Sequence, residues 1–224
     1  MIIGLIVAMN QEFELISKIL EKPQQKKVNH LDFIEGTFSD KTVVVMKSGM
    51  GKVNAAVATV EMITLFHPDV IINTGIAGGI DKSLSVMDMV AGQKVVYHDV
   101  WCGEGEYGQV QGLPPSFSGN SQLLKKIAGL KSDIKIHLGT ITSGDMFVTD
   151  IAELQAIKEK FPDGLAVDME SGSIAQVCYL YKIPYLALRI ISDTPGIENH
   201  YQQYLDFWNK APEKSLEIIK ALLA

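Results

Sequence analysis

Residues 165–181, LAVDMESGSIAQVCYLY, contain the change of pattern on which the fold depends. The segment opens with an apolar run typical of a buried strand. From Ile174 onward, apolar side chains recur at the i, i+3, i+4 and i+7 spacing of an amphipathic helix. Asp168, Met169 and Glu170 lie between the two. Ligands of open α/β sheets bind at the carboxyl ends of strands, so these side chains stand where a ligand would be met. An acid in a first helical turn can equally serve only to complement the helix dipole.

Strands and helices alternate along the rest of the chain. Runs of strand length stand at residues 2–9, 31–37, 42–47, 70–73, 87–97, 136–141 and 184–191. Helical spacing is found from Gln11 toward Pro23 and at residues 53–66, 120–130, 151–160 and 201–223, where Pro212 must kink or split the last helix. The alternation predicts an α/β fold, a three-layer α/β/α sandwich around a twisted, mixed and largely parallel central sheet. At 224 residues, we expect one domain spanning residues 1–224.

Composition narrows the functional classes. The net charge of −6, with scattered basic residues, argues against a nucleic-acid surface. The apolar N-terminus lacks a basic segment and a cleavage site, and no run has the length of a membrane span, so we expect a soluble, cytoplasmic protein. Cys102 and Cys178 form no disulfide framework or CxxC pair. The neighbouring His98 and Asp99 would point to opposite faces of a strand, so we expect no metal site there.

Two glycine-rich segments suggest ligand contact but match no nucleotide motif. Residues 48–52, SGMGK, resemble a phosphate-binding loop, yet Met46 replaces its first glycine and Val53 replaces its Ser or Thr. Residues 74–79, TGIAGG, lack the GxGxxG spacing of dinucleotide sites. This second segment is either a turn against which a flat ligand lies or simply a tight turn. Phe147, after small polar residues at a strand end, is either an aromatic platform for a base or a core residue.

Three carboxylates follow three different strands. Glu12 comes after the first strand, Glu170 follows the run 165–167, and Asp193 ends the run that begins at residue 184. All three could therefore face one pocket, and with the glycines and Phe147 they indicate acid/base chemistry on a small polar ligand without a metal or cofactor. The aromatic, proline-rich stretch 98–119 is too long for a mere connection and is typical of a functional or partner-contacting loop.

Six segments together resemble one enzyme family, the 5′-methylthioadenosine/S-adenosylhomocysteine nucleosidases of the nucleoside phosphorylase-like superfamily. They are GLIVAMNQE (4–12), KSGMGKVNAA (47–56), VIINTGIAGG (70–79), SGDMFV (143–148), AVDMES (166–171) and LRIISD (188–193). Their order and spacing match the family over nearly the whole chain. The resemblance implies a nucleoside phosphorylase-like fold, a nucleoside substrate, no cofactor and a homodimer. It also implies hydrolysis of the bond between adenine and ribose through a ribosyl cation-like transition state.

The resemblance also implies roles for individual residues. Asp193 would protonate N7 of adenine, with Ser192 positioning it, and Glu12 would activate the attacking water. Glu170 would accept hydrogen bonds from the ribose hydroxyls. Around the base, the resemblance implies Phe147 stacked on adenine, the backbone of Val148 at its amino edge, and Ala77 and Gly78 on the floor. Around the sugar, it implies Met169 beneath the ring and Arg189 near Glu12 and the water. The remaining implied contacts are Met9, Tyr107, Met50 and Tyr204, and the last two would line the subsite for the 5′-substituent. Tyr107 lies on the loop that, in the family's homodimers, reaches across to the partner's pocket.

Two positions depart from the family pattern, and three other functions stay open. Ile76 stands where a serine often helps to hold the water, and Asp168 replaces a frequent glutamate. A purine nucleoside phosphorylase would need an anion site, but Arg189 is the only arginine in the chain. An aminofutalosine hydrolase could use the same residues. A non-catalytic nucleoside-binding module would not need an acid and a base on opposite sides of a sugar.

Overall fold

The structure is a computed structural model that describes residues 1–195, 199–210 and 212–224, without the side chains of residues 200, 208–210 and 212–215. The elements in chain order are β1 (Ile2–Val7), α1 (Asn10–Ser17), β2 (Glu21–Val28), β3 (Leu31–Phe38), β4 (Lys41–Lys47), α2 (Lys52–Phe66), β5 (Val70–Gly79), β6 (Met89–Tyr97), β7 (Phe117–Ser118), α3 (Ser121–Ala128), β8 (Ile136–Ser143), α4 (Ile151–Lys160), β9 (Gly164–Asp168), α5 (Ser171–Tyr181), β10 (Tyr185–Asp193), α6 (His200–Lys210) and α7 (Pro212–Leu223).

The strands form one mixed sheet in the order β10-β6-β8-β9-β5-β1-β4-β3-β2, with β7 paired to β6. Two parallel groups make up its centre. Strands β4, β1, β5 and β10 run parallel to one another, as do β6, β8 and β9. Antiparallel pairs join the two groups at β10–β6 and at β5–β9. The predicted mixed sheet is therefore confirmed.

The sheet also closes on itself, which the sequence did not predict. Strand β10 pairs with β6 and with β5, so β5, β9, β8, β6 and β10 form a closed, barrel-like ring. All nine residues of β10 are buried, because both of its edges are hydrogen-bonded and both of its faces are covered. The prediction of a simple layered sheet is corrected in this respect.

Helices cover both faces of the sheet. Successive side chains of a strand point to opposite faces, and in β1 Ile6 packs into one apolar cluster whereas Leu5 and Val7 pack into another. Helices α2 and α5 contribute to the first cluster, and α1, α3, α6 and α7 contribute to the second. Most of the predicted site residues lie at or just after the carboxyl ends of β1, β5, β9 and β10.

One predicted helix differs in the structure, and the predicted interruption of the last helix at Pro212 is confirmed. Helix α1 ends at Ser17, and residues predicted to continue it form the edge strand β2, which pairs only with β3. Pro23 fits this strand because an edge strand can leave one side of its backbone unpaired, and the pairing shifts register between Glu21 and Gln24. The predicted C-terminal helix is divided into α6 and α7, and Pro212 is the first residue of α7.

Candidate active site

The strand ends surround one pocket with an empty volume of about 700 Å³, counted with its open mouth. Twelve of the thirteen predicted site residues line it, and Tyr107 is the exception. Tyr204, the weaker candidate on α6, lines it as well. The twelve are Met9, Glu12, Met50, Ala77, Gly78, Phe147, Val148, Met169, Glu170, Arg189, Ser192 and Asp193.

Glu12 lies in the first turn of α1, where the helix begins just after β1. Its Oε2 accepts the backbone N–H groups of Ala8 and Met9, each at 3.0 Å. Its Oε1 lies against Gly75, since a Cβ built there would stand 2.9 Å from this oxygen. Burial raises the pKa of the Glu12 carboxyl, and the backbone donors and the charge of Arg189 offset part of that rise. The result is a fixed carboxylate suited to taking a proton.

Glu170 is the residue that precedes the first turn of α5, and its side chain is 8% exposed. Its Oε1 accepts the backbone N–H of Gly51 at 2.9 Å. Burial and the nearby charge of Asp168 raise the pKa of Glu170 to about 7, although Arg189 and the Gly51 donor act in the opposite direction. Near neutral pH this carboxyl therefore exchanges between a hydrogen-bond donor and an acceptor.

The SGMGK segment is built for this contact with Glu170. Gly49 and Gly51 have φ angles of 81° and 88°, which favour glycine, and α2 begins directly after them. The N–H of Gly51 is directed to a carboxylate of the chain itself and the backbone N–H of Lys52 to Asp145, at 2.7 Å. The resemblance of this segment to a phosphate loop therefore has no counterpart in its contacts.

Asp193 ends β10 and is 2% exposed. The Oγ of Ser192 donates to its Oδ1 at 2.6 Å, and the Ala77 carbonyl lies 3.3 Å from the same hydroxyl. The pairing of β10 with β5 shifts register between Ile191 and Asp193, a bulge that re-aims the end of the strand. This contact is compatible with the positioning role that the family resemblance implied for Ser192.

Phe147 is exposed in the pocket and does not belong to the core, which decides between the two interpretations of its position. The residue is 46% exposed, and its ring meets the ring of Tyr204 edge-on, with centroids 5.8 Å apart and planes at 73°. Val148, the next residue, is buried. An exposed aromatic face beside a buried neighbour gives a flat ligand a surface on which to stack.

The segment TGIAGG forms the end of strand β5, and the predicted turn is wrong. Its glycines serve close approaches: Gly75 to Glu12 and Gly78 to Pro195, whose Cγ would stand 2.8 Å from an added Cβ. Ile76 lies between the pocket and a second, smaller cavity of about 430 Å³ that also touches Glu12. The residues that line this second cavity next to Glu12 are mostly apolar, and apolar surroundings raise the pKa of a carboxyl.

Arg189 is fully buried, and its surroundings include Asn73 and Ser171, which the sequence did not single out. Its Nε donates to Asp168 at 2.6 Å, and its Nη2 donates to the side chain of Asn73. The hydroxyl of Ser171 donates to the same Asp168 carboxylate. The sequence held one indication of a role for Asn73, because a polar residue ends the otherwise apolar run VIIN. The partners of Arg189 are distant in sequence and could not be assigned from it.

The structure does not bring Tyr107 to the pocket. Its ring stacks on Trp101 with centroids 6.2 Å apart, lies 6.1 Å from the ring of Phe161, and has the Nζ of Lys160 5.1 Å from its centroid. These contacts hold the aromatic loop near the end of α4. The predicted substrate contact of Tyr107 therefore does not occur within this chain.

Metal and membrane features are limited to what the described ranges show. Within residues 1–195, 199–210 and 212–224, no group of three or more His, Cys, Asp and Glu side chains is placed to hold a metal ion. No helix in the described part of the chain is long and apolar enough to span a bilayer.

The fold and the pocket define a nucleoside phosphorylase-like protein, and the model of the Phosphorylase superfamily matches residues 2–224. A 5′-methylthioadenosine/S-adenosylhomocysteine nucleosidase of Staphylococcus aureus (strain JH9) is 37% identical over 226 residues, covering 99% of each chain. The crystal structure of such a nucleosidase from Colwellia psychrerythraea 34H in complex with adenine has a TM-score of 0.93 and 34% identity, covering 100% of this chain and 94% of that one. The Neisseria meningitidis enzyme in complex with methylthio-immucillin-A has a TM-score of 0.94 and 34% identity, covering 99% and 97%. The chain therefore belongs to the Phosphorylase superfamily and, within it, to the family of the 5′-methylthioadenosine/S-adenosylhomocysteine nucleosidases.

Proposed function

We propose that this protein hydrolyses the N-glycosidic bond of 5′-methylthioadenosine and S-adenosylhomocysteine, releasing adenine and the thioribose product. Relatives that match nearly the whole chain, from Staphylococcus aureus and Neisseria meningitidis, are named 5′-methylthioadenosine/S-adenosylhomocysteine nucleosidases. The observation that carries the proposal is the meeting of three buried carboxylates, Glu12, Glu170 and Asp193, in one pocket beside the exposed ring of Phe147. Such a set can bind a flat base and a sugar and move protons on both sides of the bond between them.

The reaction follows from the placement of these groups. Adenine stacks on Phe147, and the protonated carboxyl of Asp193 gives its proton to N7, so that the electrons of the breaking C–N bond pass into the base. A ribosyl cation-like transition state develops, and Glu170 accepts hydrogen bonds from the sugar hydroxyls. Water adds to the anomeric carbon and gives its proton to Glu12. Ser192 holds the Asp193 carboxyl through its 2.6 Å hydrogen bond during these steps.

Arg189 favours hydrolysis over phosphorolysis. A phosphate site typically uses an arginine as a two-pronged donor. Here the only arginine in the sequence is fully buried and bonded to Asp168, to Asn73 and to the Leu188 carbonyl. It cannot turn a pair of N–H groups toward a phosphate without breaking these bonds.

We also propose a homodimer, cytoplasmic location and one catalytic domain over residues 1–224. Apolar side chains on the outer surfaces of α2 and α5 support the dimer, because Val53, Val57, Tyr179 and Leu180 are all exposed. Trp101 is exposed on the aromatic loop and, together with Tyr107, would meet the pocket of the partner subunit in this proposal. The helices on either side of the sheet support the three-layer description of the fold.

The experiment measures adenine release from methylthioadenosine, S-adenosylhomocysteine, adenosine and aminofutalosine, each with and without phosphate, and identifies the sugar product. We expect free methylthioribose and ribosylhomocysteine at a rate that does not depend on phosphate. A sugar 1-phosphate formed only in the presence of phosphate would refute hydrolysis. Turnover confined to aminofutalosine would refute the proposed substrates.

The catalytic roles are tested by Asp193→Asn and Glu12→Gln. We expect each to lower kcat by at least 10²-fold, the usual contribution of a positioned acid or base. Glu14→Gln, an exposed neighbour of Glu12 on the same helix, is the matched control and should leave kcat unchanged. Near-normal turnover of either variant in the pocket would contradict the assigned role.

A further inference from the structure

Arg189 is a charged side chain held almost entirely by the protein itself. A guanidinium has five N–H donors. Its Nε donates to Asp168 at 2.6 Å, Nη1 faces the carbonyls of Asn73 at 3.3 Å and Leu188 at 2.9 Å, and Nη2 donates to Asn73 Oδ1. Among the residues that the structure describes, these contacts use four of the five donors and leave one N–H of Nη2. Arg189 also lines the pocket, where this remaining donor can serve a ligand atom.

Asn73 makes more of these contacts than any other described residue. It offers both its backbone carbonyl and its side-chain oxygen to the guanidinium. Its Nδ2 donates to the Ile6 carbonyl at 3.0 Å, which fixes the amide against β1. The side chain is 1% exposed, and it also lines the pocket. Asn73 therefore determines how far the Nη2 edge of Arg189 can turn.

Asp168 and Ser171 hold the other edge of the guanidinium. The Asp168 carboxylate accepts from Arg189 Nε, and both the Oγ and the backbone N–H of Ser171 reach it, the latter at 3.3 Å. The Ser171 hydroxyl also lies 3.5 Å from Asn73 Oδ1. The side chains thus form a closed cluster in which each member restrains the next.

We propose that Asn73 is a positioning residue which, together with Asp168 and Ser171, fixes Arg189 so that one N–H of Nη2 is presented to the reacting end of the pocket. The inference rests on the proposed function, because the reacting atoms are those of the nucleoside and the water. A fixed N–H donor next to Glu12 can hold the oxygen of the attacking water as that water gives up its proton, without having to reorganise.

Four titratable groups face this guanidinium from three elements and one junction. They are Asp168 at the end of β9, Glu170 at the start of α5, Glu12 on α1 and Tyr185 on β10. Arg189 lowers the pKa of Glu12 and of Glu170, whereas Asp168 raises that of Glu170. Neutralising Asp168 should therefore lower the pKa of Glu170.

The first test is Asn73→Ala, with steady-state kinetics on methylthioadenosine. We expect kcat to fall at least tenfold while KM stays within about threefold, since the presented donor acts mainly in the transition state. Thr142→Val is the matched control, because it removes a different buried side-chain hydrogen bond in the same sheet, from the Thr142 hydroxyl to the Ala166 carbonyl at 3.0 Å. This control should lose thermal stability but keep kcat within about twofold. A rise in KM with unchanged kcat for Asn73→Ala would overturn the proposal.

A double-mutant cycle then tests whether the cluster acts as a unit. Asn73→Ala and Ser171→Ala both act through Arg189, so the double variant should lose less in kcat than the product of the two single losses. Independent, multiplicative losses would show that the two side chains do not act through a common group and would overturn the proposal.

Asp168→Asn separates positioning from simple support of the fold. We expect the acid limb of the kcat/KM profile to move to lower pH, because the pKa of Glu170 falls when the neighbouring negative charge is removed. An unmoved limb in a folded variant would count against the proposal. If the wild-type protein releases no adenine, the proposed function has failed. Titration of ¹³C-labelled glutamate carboxyls in wild type and variant would then still show whether Asp168 acts on Glu170.

Discussion

Replacing Glu170 by glutamine should make the protein more stable at alkaline pH while abolishing its activity. Burial and the charge of Asp168 raise the pKa of Glu170 from 4.5 to about 7. A carboxyl with a raised pKa in the folded state takes up protons on folding. Its favourable contribution is therefore complete below pH 4.5 and is lost as the pH rises through 7. Above pH 7, folding must bury the charged form.

The size of this effect follows from the difference between the two pKa values. Each pH unit of difference corresponds to about 1.4 kcal/mol, so the buried charge of Glu170 costs about 3 kcal/mol of unfolding free energy at pH 8. The Glu170→Gln side chain keeps an oxygen that can accept the N–H of Gly51 and carries no charge. We expect the variant to gain about 3 kcal/mol at pH 8, roughly 6–12 °C in Tm for a chain of this size, and almost nothing at pH 4.5.

Urea and thermal unfolding at pH 8 and at pH 4.5 measure this difference. Glu14→Gln is the control, since Glu14 is an exposed glutamate on α1 and its replacement should change stability little at either pH. The reasoning would be refuted by a Glu170→Gln variant that is no more stable than wild type at pH 8, or by a gain that is the same at both pH values. Loss of turnover in the same variant would link the stability cost to the binding of the sugar.

Three further outcomes are expected. Phe147→Ala should raise KM for methylthioadenosine roughly tenfold to a hundredfold, because stacking on an aromatic ring contributes about 1–3 kcal/mol per base. The control is Ile151→Ala, which removes an exposed apolar side chain outside the pocket and should leave KM unchanged. Met50→Ala should raise KM for methylthioadenosine more than KM for adenosine, and equal effects would exclude Met50 from the subsite of the 5′-substituent. If the protein forms the proposed homodimer, Val57→Asp should reduce the mass measured by light scattering to that of a monomer, since it puts a charge on the exposed apolar surface of α2. A wild-type protein of monomer mass would refute the dimer, and an unchanged dimer mass in the variant would refute an interface at α2.

The sequence predicted which carboxylates line the pocket, because their positions follow from local pattern. Glu12 and Asp193 lie at or just after the carboxyl ends of β1 and β10, which belong to one parallel group and end at the same edge of the sheet. Glu170 follows β9, which belongs to the other parallel group and reaches the same pocket through its antiparallel pairing with the end of β5. The family resemblance then supplied roles that no periodicity contains. Phe147 stayed ambiguous because an aromatic side chain at a strand end is compatible with either the core or the pocket.

Features that depend on distant residues were beyond the sequence. The bond between Arg189 and Asn73 joins residues 116 positions apart, and nothing in either segment specifies it. The second pairing of β10 likewise depends on where β5 and β6 lie in space. The predicted turn at residues 74–79 was wrong because these residues continue strand β5. The glycines are needed there for the close approach of Glu12 and Pro195, not for a turn conformation.

The double pairing of β10 has a consequence for how the protein is made on the ribosome. This strand carries Arg189, Ser192 and Asp193, and it follows nearly all of the chain. The pairings of β5 and β6 with β10 can form only after β10 has been made. Both pairings join segments that are far apart in sequence, and such non-local pairing is slow. A nascent chain that lacks this strand has neither a closed ring nor the proposed proton donor Asp193. Closing the ring and placing Arg189, Ser192 and Asp193 at the pocket therefore depend on the same long-range pairings.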